Sequence, residues 1–201
     1  LTQMMVEGEL LQLERIGKIA VTEADYFELI DRKTAILFSA CARLGAMSAG
    51  AGDAVEMRMG DYAWNLGIAF QLVDDILDFT GDPAVMGKPV GSDLAGGTLT
   101  LPSILYMQRQ PDDNPVKRAF EGTRRKANID RAIREITASD LLDESMRTAR
   151  PVFIDAVDGT NTPPADAKQT VEPEVAYVVT DMMRSVVTSG TGMPGSASAA
   201  R

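Results

Sequence analysis

The sequence predicts an all-α fold for about the first 149 of its 201 residues. The first observation behind this prediction is a helical spacing of apolar residues, which recur every three or four positions from Thr2 to about Arg150. The second is that capping residues and clusters of Gly, Pro and Asp divide this region into segments of helix length. A composition of 45% hydrophobic and 24% charged residues is typical of a chain with a globular core.

The individual helices are predicted from their caps and breakers. Thr22 followed by Asp25 resembles a capping box that opens a long second helix, and Asp53 is the predicted N-cap of the third. The Gly, Pro, Asp and Ser residues between Thr80 and Thr98 predict a loop. The predicted helices cover about residues 2–17, 23–50, 53–79, 99–108, 116–122 and 124–139, with a last segment that ends near 150.

The sequence changes character near residue 150, which predicts a second unit over residues 150–201. The predicted parts of this tail are a short strand (151–157), a polar linker (161–169), one amphipathic helix (172–189) and a disordered end (190–201). We therefore expect a helical domain over residues 1–149, followed by an unrelated tail.

Composition excludes several kinds of chemistry. The chain has no histidine, which excludes imidazole acid–base catalysis and histidine-bound metal sites. Its one cysteine, Cys41, allows no internal disulfide and favours a reducing compartment, so we expect a cytoplasmic protein. A net charge of −9 argues against nucleic acid as a partner.

No membrane or export signal is visible in the sequence. The longest apolar stretches, such as residues 66–73, are too short to cross a bilayer, and the first residues lack the pattern of a signal peptide. Because Leu1 already lies within an amphipathic pattern, we expect that the natural protein begins further upstream.

The residues with the most specific chemistry are three aspartates at the end of the third predicted helix. Residues 66–73 are apolar on almost every side and predict a buried helix, which runs directly into Asp74, Asp75 and Asp78. At roughly 100° per residue, the three carboxylates and the side-chain amide of Gln71 share about one quadrant of the helix.

This carboxylate cluster requires a compensating charge. Two carboxylates about 4 Å apart repel by roughly 4 kcal/mol at an effective dielectric constant of about 20, so the cluster either binds a cation or is partly protonated. Oxygen donors without His or Cys favour magnesium, which commonly shares its ligands with substrate phosphates. Gly67 lies on the same face and is expected to leave room for a bulky group. The alternative interpretation is a solvated helix end whose acids face water.

Two lysines are candidates for binding the same phosphates. Lys88 lies between Gly87 and Pro89 in the loop after the acidic helix, from which it can fold back as a point charge. Lys33 and Thr34 place a cation and a hydroxyl within an otherwise apolar helix. For each of these residues the alternative is a surface side chain in contact with water.

Together these residues resemble the C-terminal half of the trans-isoprenyl diphosphate (polyprenyl) synthase family. The resemblance covers about residues 1–149, and its motifs occur in the family's order and spacing. The matching pieces are Gly8-Glu9-x-x-Gln12, Arg32-Lys33-Thr34, Gly67-x-x-Phe70-Gln71-x-x-Asp74-Asp75-x-x-Asp78, Gly87-Lys88, Gly91-x-Asp93-Leu94 and Thr100-Leu101-Pro102.

The resemblance implies a partial helical bundle of the isoprenoid-synthase type. It also implies a prenyltransferase that condenses isopentenyl diphosphate with an allylic diphosphate using Mg²⁺, and a homodimer in the complete family member. By the same resemblance, Asp74, Asp75 and Asp78 form the second aspartate-rich motif and hold the metal. The catalytic residues that it implies are Lys33, Thr34, Gln71 and Lys88, and the diphosphate-binding residues are Lys33, Gln71, Lys88 and Asp93.

Two positions depart from the family's pattern. The family's first aspartate-rich motif has no equivalent, because the only other adjacent pair, Asp112-Asp113, precedes Asn114-Pro115 and predicts a turn. Thr98 stands where many members carry a lysine. We therefore predict that this chain alone does not catalyse prenyl transfer.

A second resemblance, over about residues 151–192, is to a segment of the transpeptidase domain of penicillin-binding proteins. The chain contains none of that family's SxxK, SxN or KTG motifs, so no catalytic residue is implied. A truncated or chimeric reading frame would account for both resemblances. Two alternatives to a synthase fragment stay open: another class I terpenoid enzyme, such as a cyclase, and a non-catalytic helical remnant or partner subunit.

Overall fold

The structure is a computed structural model that describes residues 1–148. All regular secondary structure in this range is helical, which confirms the all-α prediction for it. The helices are α1 (Thr2–Arg15), α2 (Glu23–Ile30), α3 (Ile36–Ser48), α4 (Asp53–Thr80), α5 (Pro83–Met86), α6 (Ser92–Gly96), α7 (Leu101–Arg109), α8 (Pro115–Phe120) and α9 (Arg125–Thr137), followed by helical residues 141–148. Among these described helices, none is long and apolar enough to cross a membrane.

The helix predicted over residues 23–50 is divided by a π-helical turn. α2 begins at the predicted capping box, in which the Thr22 hydroxyl accepts from the Asp25 backbone N–H (3.1 Å) and the Asp25 carboxylate accepts from the Thr22 N–H (2.9 Å). The π-helical turn Asp31–Ala35 follows and leads into α3. Because such a turn holds extra backbone, it changes the direction of its side chains, and Lys33 and Thr34 both lie within it.

Two further boundaries differ from the prediction. Asp53 is not an N-cap, because Gly52 takes that position and Asp53 is the first helical residue, where its charge complements the helix N-terminus. The predicted loop over residues 80–98 contains the short helices α5 and α6. α5 forms because the Asp82 side chain caps it and Pro83 opens its first turn.

The hydrophobic core lies on one side of α4. Its large buried side chains include Leu72 and Phe79 of α4, Ile104 of α7 and Ile136 of α9. α3 packs along α4 but has no buried residue, although most of its residues are apolar. α1 has one buried residue, Gly8. α1 and α3 therefore lie at the edge of the described core.

Two glycines allow helices to approach the π-helical turn closely. A Cβ added to Gly67 of α4 would lie 2.7 Å from the Cα of Ala35, and one added to Gly8 of α1 would lie 3.1 Å from the backbone nitrogen of Lys33. The expectation that Gly67 leaves room for a bulky group is therefore wrong, because the π-helical turn occupies that space.

The predicted strand, linker and final amphipathic helix of the tail lie outside the described residues. The resemblance of residues 151–192 to penicillin-binding proteins falls there as well. The domain boundary near residue 150 stays a prediction.

Candidate active site

A cavity of about 300 Å³ lies where α1, α2, the π-helical turn and α4 meet the segment between α5 and α7. The residues that line it are Gln12, Tyr26, Leu29, Ile30, Lys33, Gln71, Asp74, Asp75, Lys88, Asp93, Thr98, Leu99 and Thr100. Six of the eight residues that the sequence nominates for the site are among them. The other two, Thr34 and Asp78, contact residues of the cavity wall.

Asp75 is buried at this cavity and accepts two hydrogen bonds. The Tyr26 hydroxyl donates to its Oδ2 (2.7 Å), and the Gln71 Nε2 donates to its Oδ1 (2.9 Å). The Gln71 side-chain oxygen in turn accepts from the Thr34 hydroxyl (2.8 Å). Four side chains from α2, the π-helical turn and α4 therefore form one hydrogen-bonded chain, which fixes the Asp75 carboxyl and engages both of its oxygens.

Burial raises the pKa of Asp75 to about 7, since only 4% of the residue is exposed. The hydrogen bonds from Tyr26 and Gln71 act in the opposite direction, and the charges of Asp93 and Asp74 add to the increase. Burial and the neighbouring Asp75 charge also raise the pKa of Tyr26, so its phenol stays a hydrogen-bond donor. The Asp75 carboxyl therefore changes its charge near neutral pH.

Asp78 lies beneath the cavity wall with its side chain fully buried. Lys88 Nζ forms an ion pair with its Oδ1 at 2.9 Å, and the Ser92 hydroxyl donates to the same oxygen at 2.8 Å. The Asp93 backbone N–H donates to its Oδ2 at 3.2 Å. The Asp78 carboxylate therefore holds the segment that carries Lys88 and Asp93 against the end of α4.

A glycine sets the direction of this segment. Gly91 has a φ of +68°, and its N–H donates to the backbone carbonyl of Asp78 at 2.7 Å. A side chain at this position would also collide with Ile133 of α9. Glycine is therefore required for the turn that brings Ser92 and Asp93 to α4.

Asp74 and Asp93 place two more carboxyl groups on the cavity wall. Burial raises the pKa of both, the Asp78 charge raises it further, and Lys88 lowers it. Burial lowers the pKa of Lys88, but its contacts with these carboxylates outweigh that effect and the net change is upward. Four carboxyl groups therefore share the site with two lysines, Lys88 and Lys33, an excess of negative charge that a divalent cation would balance.

Lys33 lies on the side of the cavity next to α1. Its Nζ donates a hydrogen bond to the Gln12 side-chain oxygen and lies 3.6 Å from the Glu9 carboxylate. The neighbouring Arg32 pairs with Glu7 of α1 at 2.7 Å. The acidic and amide side chains of α1 therefore orient the lysine toward the cavity.

Two residues that support the site were not predicted from the sequence, Tyr26 and Ser92. The Tyr26 hydroxyl binds Asp75, and the Ser92 hydroxyl binds the other buried aspartate. Tyr26 precedes Lys33 by seven positions, a spacing that in a regular α-helix indicates one face, and this was the available signal for Tyr26. Thr98, where the resemblance implies a lysine, does line the cavity and provides a hydroxyl in place of a cation.

The model of the family described as polyprenyl synthetase matches residues 1–136 of this chain. The chain belongs to the polyprenyl synthetase family. It is 34% identical over 183 residues to the octaprenyl diphosphate synthase of Haemophilus influenzae, and this match covers 90% of this chain and 55% of that protein. It is 36% identical over 157 residues to the geranylgeranyl diphosphate synthase of Sulfolobus acidocaldarius, with 77% and 48% covered.

Solved structures of polyprenyl synthetases share the fold. The polyprenyl synthase of Caulobacter crescentus, solved in complex with calcium and isoprenyl diphosphate, has a TM-score of 0.72 and 32% identity over 93% of this chain and 56% of its own. The heptaprenyl diphosphate synthase of Staphylococcus aureus has a TM-score of 0.71 and 26% identity over 94% and 58%. This chain thus spans about half the length of the polyprenyl synthetases that it matches.

Within residues 1–148, no group of three or more Asp, Glu or Cys side chains is arranged to enclose a metal ion. Two of the three aspartates of the motif are engaged by side chains outside it. Asp75 and Asp78 direct their oxygens to Tyr26, Gln71, Ser92 and Lys88. The metal-binding role of the three aspartates stays a prediction.

Proposed function

We propose that this polyprenyl synthetase chain carries the part of a prenyltransferase site that binds Mg²⁺ and the diphosphate of an allylic substrate. In the complete enzyme this substrate is condensed with isopentenyl diphosphate. The observation that carries the proposal is the cavity wall on which Asp74 and Asp93 lie beside Lys88 and Lys33. Carboxyls next to lysines suit an anion that binds together with a divalent cation. The calcium and isoprenyl diphosphate bound to the Caulobacter crescentus relative support the same assignment.

The donor set fits magnesium. Mg²⁺ is usually bound through one or two carboxylates together with phosphate oxygens and water, so a closed cage of protein ligands is not needed. Asp74 and Asp93 have raised pKa values, and a nearby cation would favour their ionised forms. Asp93 was predicted to bind the diphosphate. As an ionised carboxylate it can do so only through a cation, because both groups are anions.

The side chains of the site would serve the departure of pyrophosphate. Bound Mg²⁺ supplies positive charge that stabilises this leaving group. Lys88, held by Asp78, and Lys33, held by Gln12, add two positioned charges, which require little rearrangement during the reaction. Gln71 links α4 to the π-helical turn, because its side chain bonds both Asp75 and the Thr34 hydroxyl. The alkene of the second substrate attacks the allylic cation, and the released pyrophosphate accepts the final proton, so no histidine is needed.

Magnesium-dependent binding of inorganic pyrophosphate tests the proposal. Isothermal titration calorimetry of the 201-residue chain is expected to show binding with Mg²⁺ that weakens at least tenfold in EDTA. Asp74→Asn should weaken it to a similar extent. Asp61→Asn is the matched control, because it removes an exposed carboxylate from the same helix, and it should leave the affinity unchanged. Equal affinity in Asp74→Asn and the parent chain, or binding without Mg²⁺, contradicts the proposal.

Catalysis of prenyl transfer is tested separately from pyrophosphate binding. We expect no prenyl transfer from geranyl diphosphate and radiolabelled isopentenyl diphosphate by the isolated chain, since its sequence holds one aspartate-rich motif instead of two. Labelled product from the purified chain would refute this expectation. A non-catalytic remnant with a collapsed site predicts neither turnover nor pyrophosphate binding. The homodimer and the cytoplasmic location stay predictions.

A further inference from the structure

Positive charge is concentrated in α8, α9 and the turn that joins them. Seven Lys and Arg residues and four Asp and Glu residues lie between residues 113 and 135, whereas the rest of the chain holds 13 basic and 25 acidic residues. The seven cations are Lys117, Arg118, Arg124, Arg125, Lys126, Arg131 and Arg134. We call them the basic surface. One segment of an acidic chain therefore has the opposite charge.

The arginines of α9 lie on the side of the helix that faces away from the core. Arg131 and Arg134 follow Arg124 by seven and ten positions, which places the three side chains on one helix face, and all three are exposed. The opposite face is the one that enters the core. Its buried residues are Ile129, Ala132 and Ile136.

The cations of α8 adjoin this face. The Arg118 Nε donates to the Asp113 carboxylate at 2.6 Å, and this contact lowers the pKa of Asp113. The charges of Lys117 and Arg131 lower the same pKa further, so cations of both helices lie near one carboxylate. Since α8 and α9 also pack against each other, the basic surface extends over both helices.

The packing of the protein does not account for these charges. Among residues 1–148, only Arg118 and Arg131 of the seven cations form ion pairs. Three of the others, Arg124, Arg125 and Lys126, lie at the N-terminus of α9, where the helix dipole disfavours positive charge. An accumulation of cations that local structure disfavours is typical of a surface that binds an anionic partner.

We propose that the basic surface docks the protein on an anionic phospholipid membrane through charge alone. Clusters of about four to eight Lys and Arg residues on an amphipathic helix are typical of binding to anionic lipids. Every large apolar residue of α8 and α9 packs in or against the core, so none is left to insert among lipid tails. The acidic remainder of the chain is repelled by such a membrane, which orients the basic surface toward it.

A membrane fits this surface better than a nucleic acid does. Phe120 is the one aromatic residue of α8 and α9, and it packs against the core, so neither helix offers a ring on which bases could stack. The inference rests on the proposed function for its link to a bilayer. The proposed substrate is a prenyl diphosphate, whose hydrocarbon chain partitions into membranes.

The basic surface is connected to the candidate active site through α6. The Arg125 Nη2 donates to the Ala95 carbonyl of α6 at 2.9 Å, and Ile133 of α9 packs against Gly91, which caps α6. The same short helix carries Asp93, which lines the diphosphate cavity. The membrane would therefore contact the helix that packs directly on the segment forming the cavity wall.

Co-sedimentation with lipid vesicles tests the inference. The 201-residue chain is mixed with vesicles of phosphatidylcholine alone and with vesicles that contain about 30% phosphatidylglycerol. At about 0.05 M NaCl its affinity for the anionic vesicles should be at least tenfold higher than for the neutral ones. This affinity should fall at least tenfold at about 0.5 M NaCl, because salt screens the attraction.

Two variants of equal net charge separate this surface from a general charge effect. Arg124→Gln combined with Arg134→Gln removes two cations from the outer face of α9. Each cation near an anionic membrane contributes about fivefold to the affinity, so binding to the anionic vesicles should weaken at least tenfold. Lys18→Gln combined with Arg58→Gln removes two exposed cations elsewhere and should keep the affinity of the parent chain.

Circular dichroism checks the helix content of each variant. Lys117→Gln combined with Lys126→Gln repeats the test at two other cations of the basic surface, should the arginine pair lose helix. Equal affinity for neutral and anionic vesicles overturns the inference, as does an equal loss of affinity in the basic-surface and control variants. Tighter binding to a single-stranded oligonucleotide than to anionic vesicles, weakened by the same substitutions, also overturns it, because the partner is then a nucleic acid.

Failure of the proposed function looks different from failure of this inference. If the proposed function alone is wrong, the chain binds anionic vesicles but shows no Mg²⁺-dependent binding of pyrophosphate. If both are right, Asp74→Asn should lose pyrophosphate binding and keep vesicle binding, whereas the variant with Arg124→Gln and Arg134→Gln should do the reverse.

Discussion

Replacing Asp75 by Asn tests the hydrogen-bonded chain beside the cavity. The new amide has nearly the same volume and keeps an oxygen that can accept from Tyr26. The Gln71 amide can turn over, so that its oxygen accepts from the new amide and its nitrogen donates to the Thr34 hydroxyl. The substitution therefore removes a buried charge while each polar atom retains a partner.

The expected effect depends on pH, because the pKa of Asp75 rises from 3.8 to about 7 in the folded protein. A carboxyl with a raised pKa favours folding in its protonated form. Its contribution is complete below about pH 4 and is lost as the pH rises through about 7. About three pKa units correspond to about 4 kcal/mol. Relative to the parent chain, Asp75→Asn should gain about 1.4 kcal/mol per pH unit over this range and level off above it.

Urea unfolding followed by circular dichroism, without divalent cations and at about pH 5, 6, 7 and 8, measures this difference. Asp130→Asn serves as the control, since it removes an exposed carboxylate from α9 and should follow the pH dependence of the parent chain. A stability difference between Asp75→Asn and the parent that stays constant from about pH 5 to pH 8 would refute the reasoning. A stability advantage of Asp75→Asn that shrinks as the pH rises would do so as well.

Three further substitutions test the packing around the site, each by its urea unfolding midpoint. Gly67→Ala should lower the free energy of unfolding by about 1–3 kcal/mol, because its Cβ would lie 2.7 Å from the Cα of Ala35, and an unchanged midpoint would contradict this close approach. Ser92→Ala should cost about 1.5–3 kcal/mol through the lost hydrogen bond to buried Asp78, and a loss below about 0.5 kcal/mol would argue against that bond. Thr22→Ala should cost about 1 kcal/mol through the lost cap of α2 while pyrophosphate affinity stays the same.

Much of the fold could be predicted because its signals are local. The helix predicted over residues 53–79 is found as Asp53–Thr80, and the capping box at Thr22 opens α2 as expected. The π-helical turn was not predictable, because no Gly or Pro marks it in the sequence. Its position coincides with contacts to Gly8 and Gly67, which lie on two other helices, and such long-range packing leaves no local pattern.

The candidate site also combines features that the local sequence predicts with contacts that depend on long-range packing. The shared face of Gln71, Asp74 and Asp75 follows from helix geometry, and all three residues line the cavity. Their partners do not follow from it. The Tyr26 hydroxyl reaches Asp75 across 49 positions of sequence, a pairing that only the packing of α2 on α4 creates. The position of Lys88 likewise depends on how its loop folds back onto α4.

The structure separates three aspartates that the sequence treats as equivalent. Asp78 binds Lys88, the Ser92 hydroxyl and a backbone N–H, so replacing it would release the loop as well as remove a carboxylate. Loss of pyrophosphate binding in such a variant would not identify a metal ligand. Asp75 accepts hydrogen bonds from Tyr26 and Gln71, so loss of pyrophosphate binding after its replacement would not identify a metal ligand either. Asp74 lies on the cavity wall outside both of these hydrogen-bonded clusters, so its substitution distinguishes magnesium binding from the folding of the site.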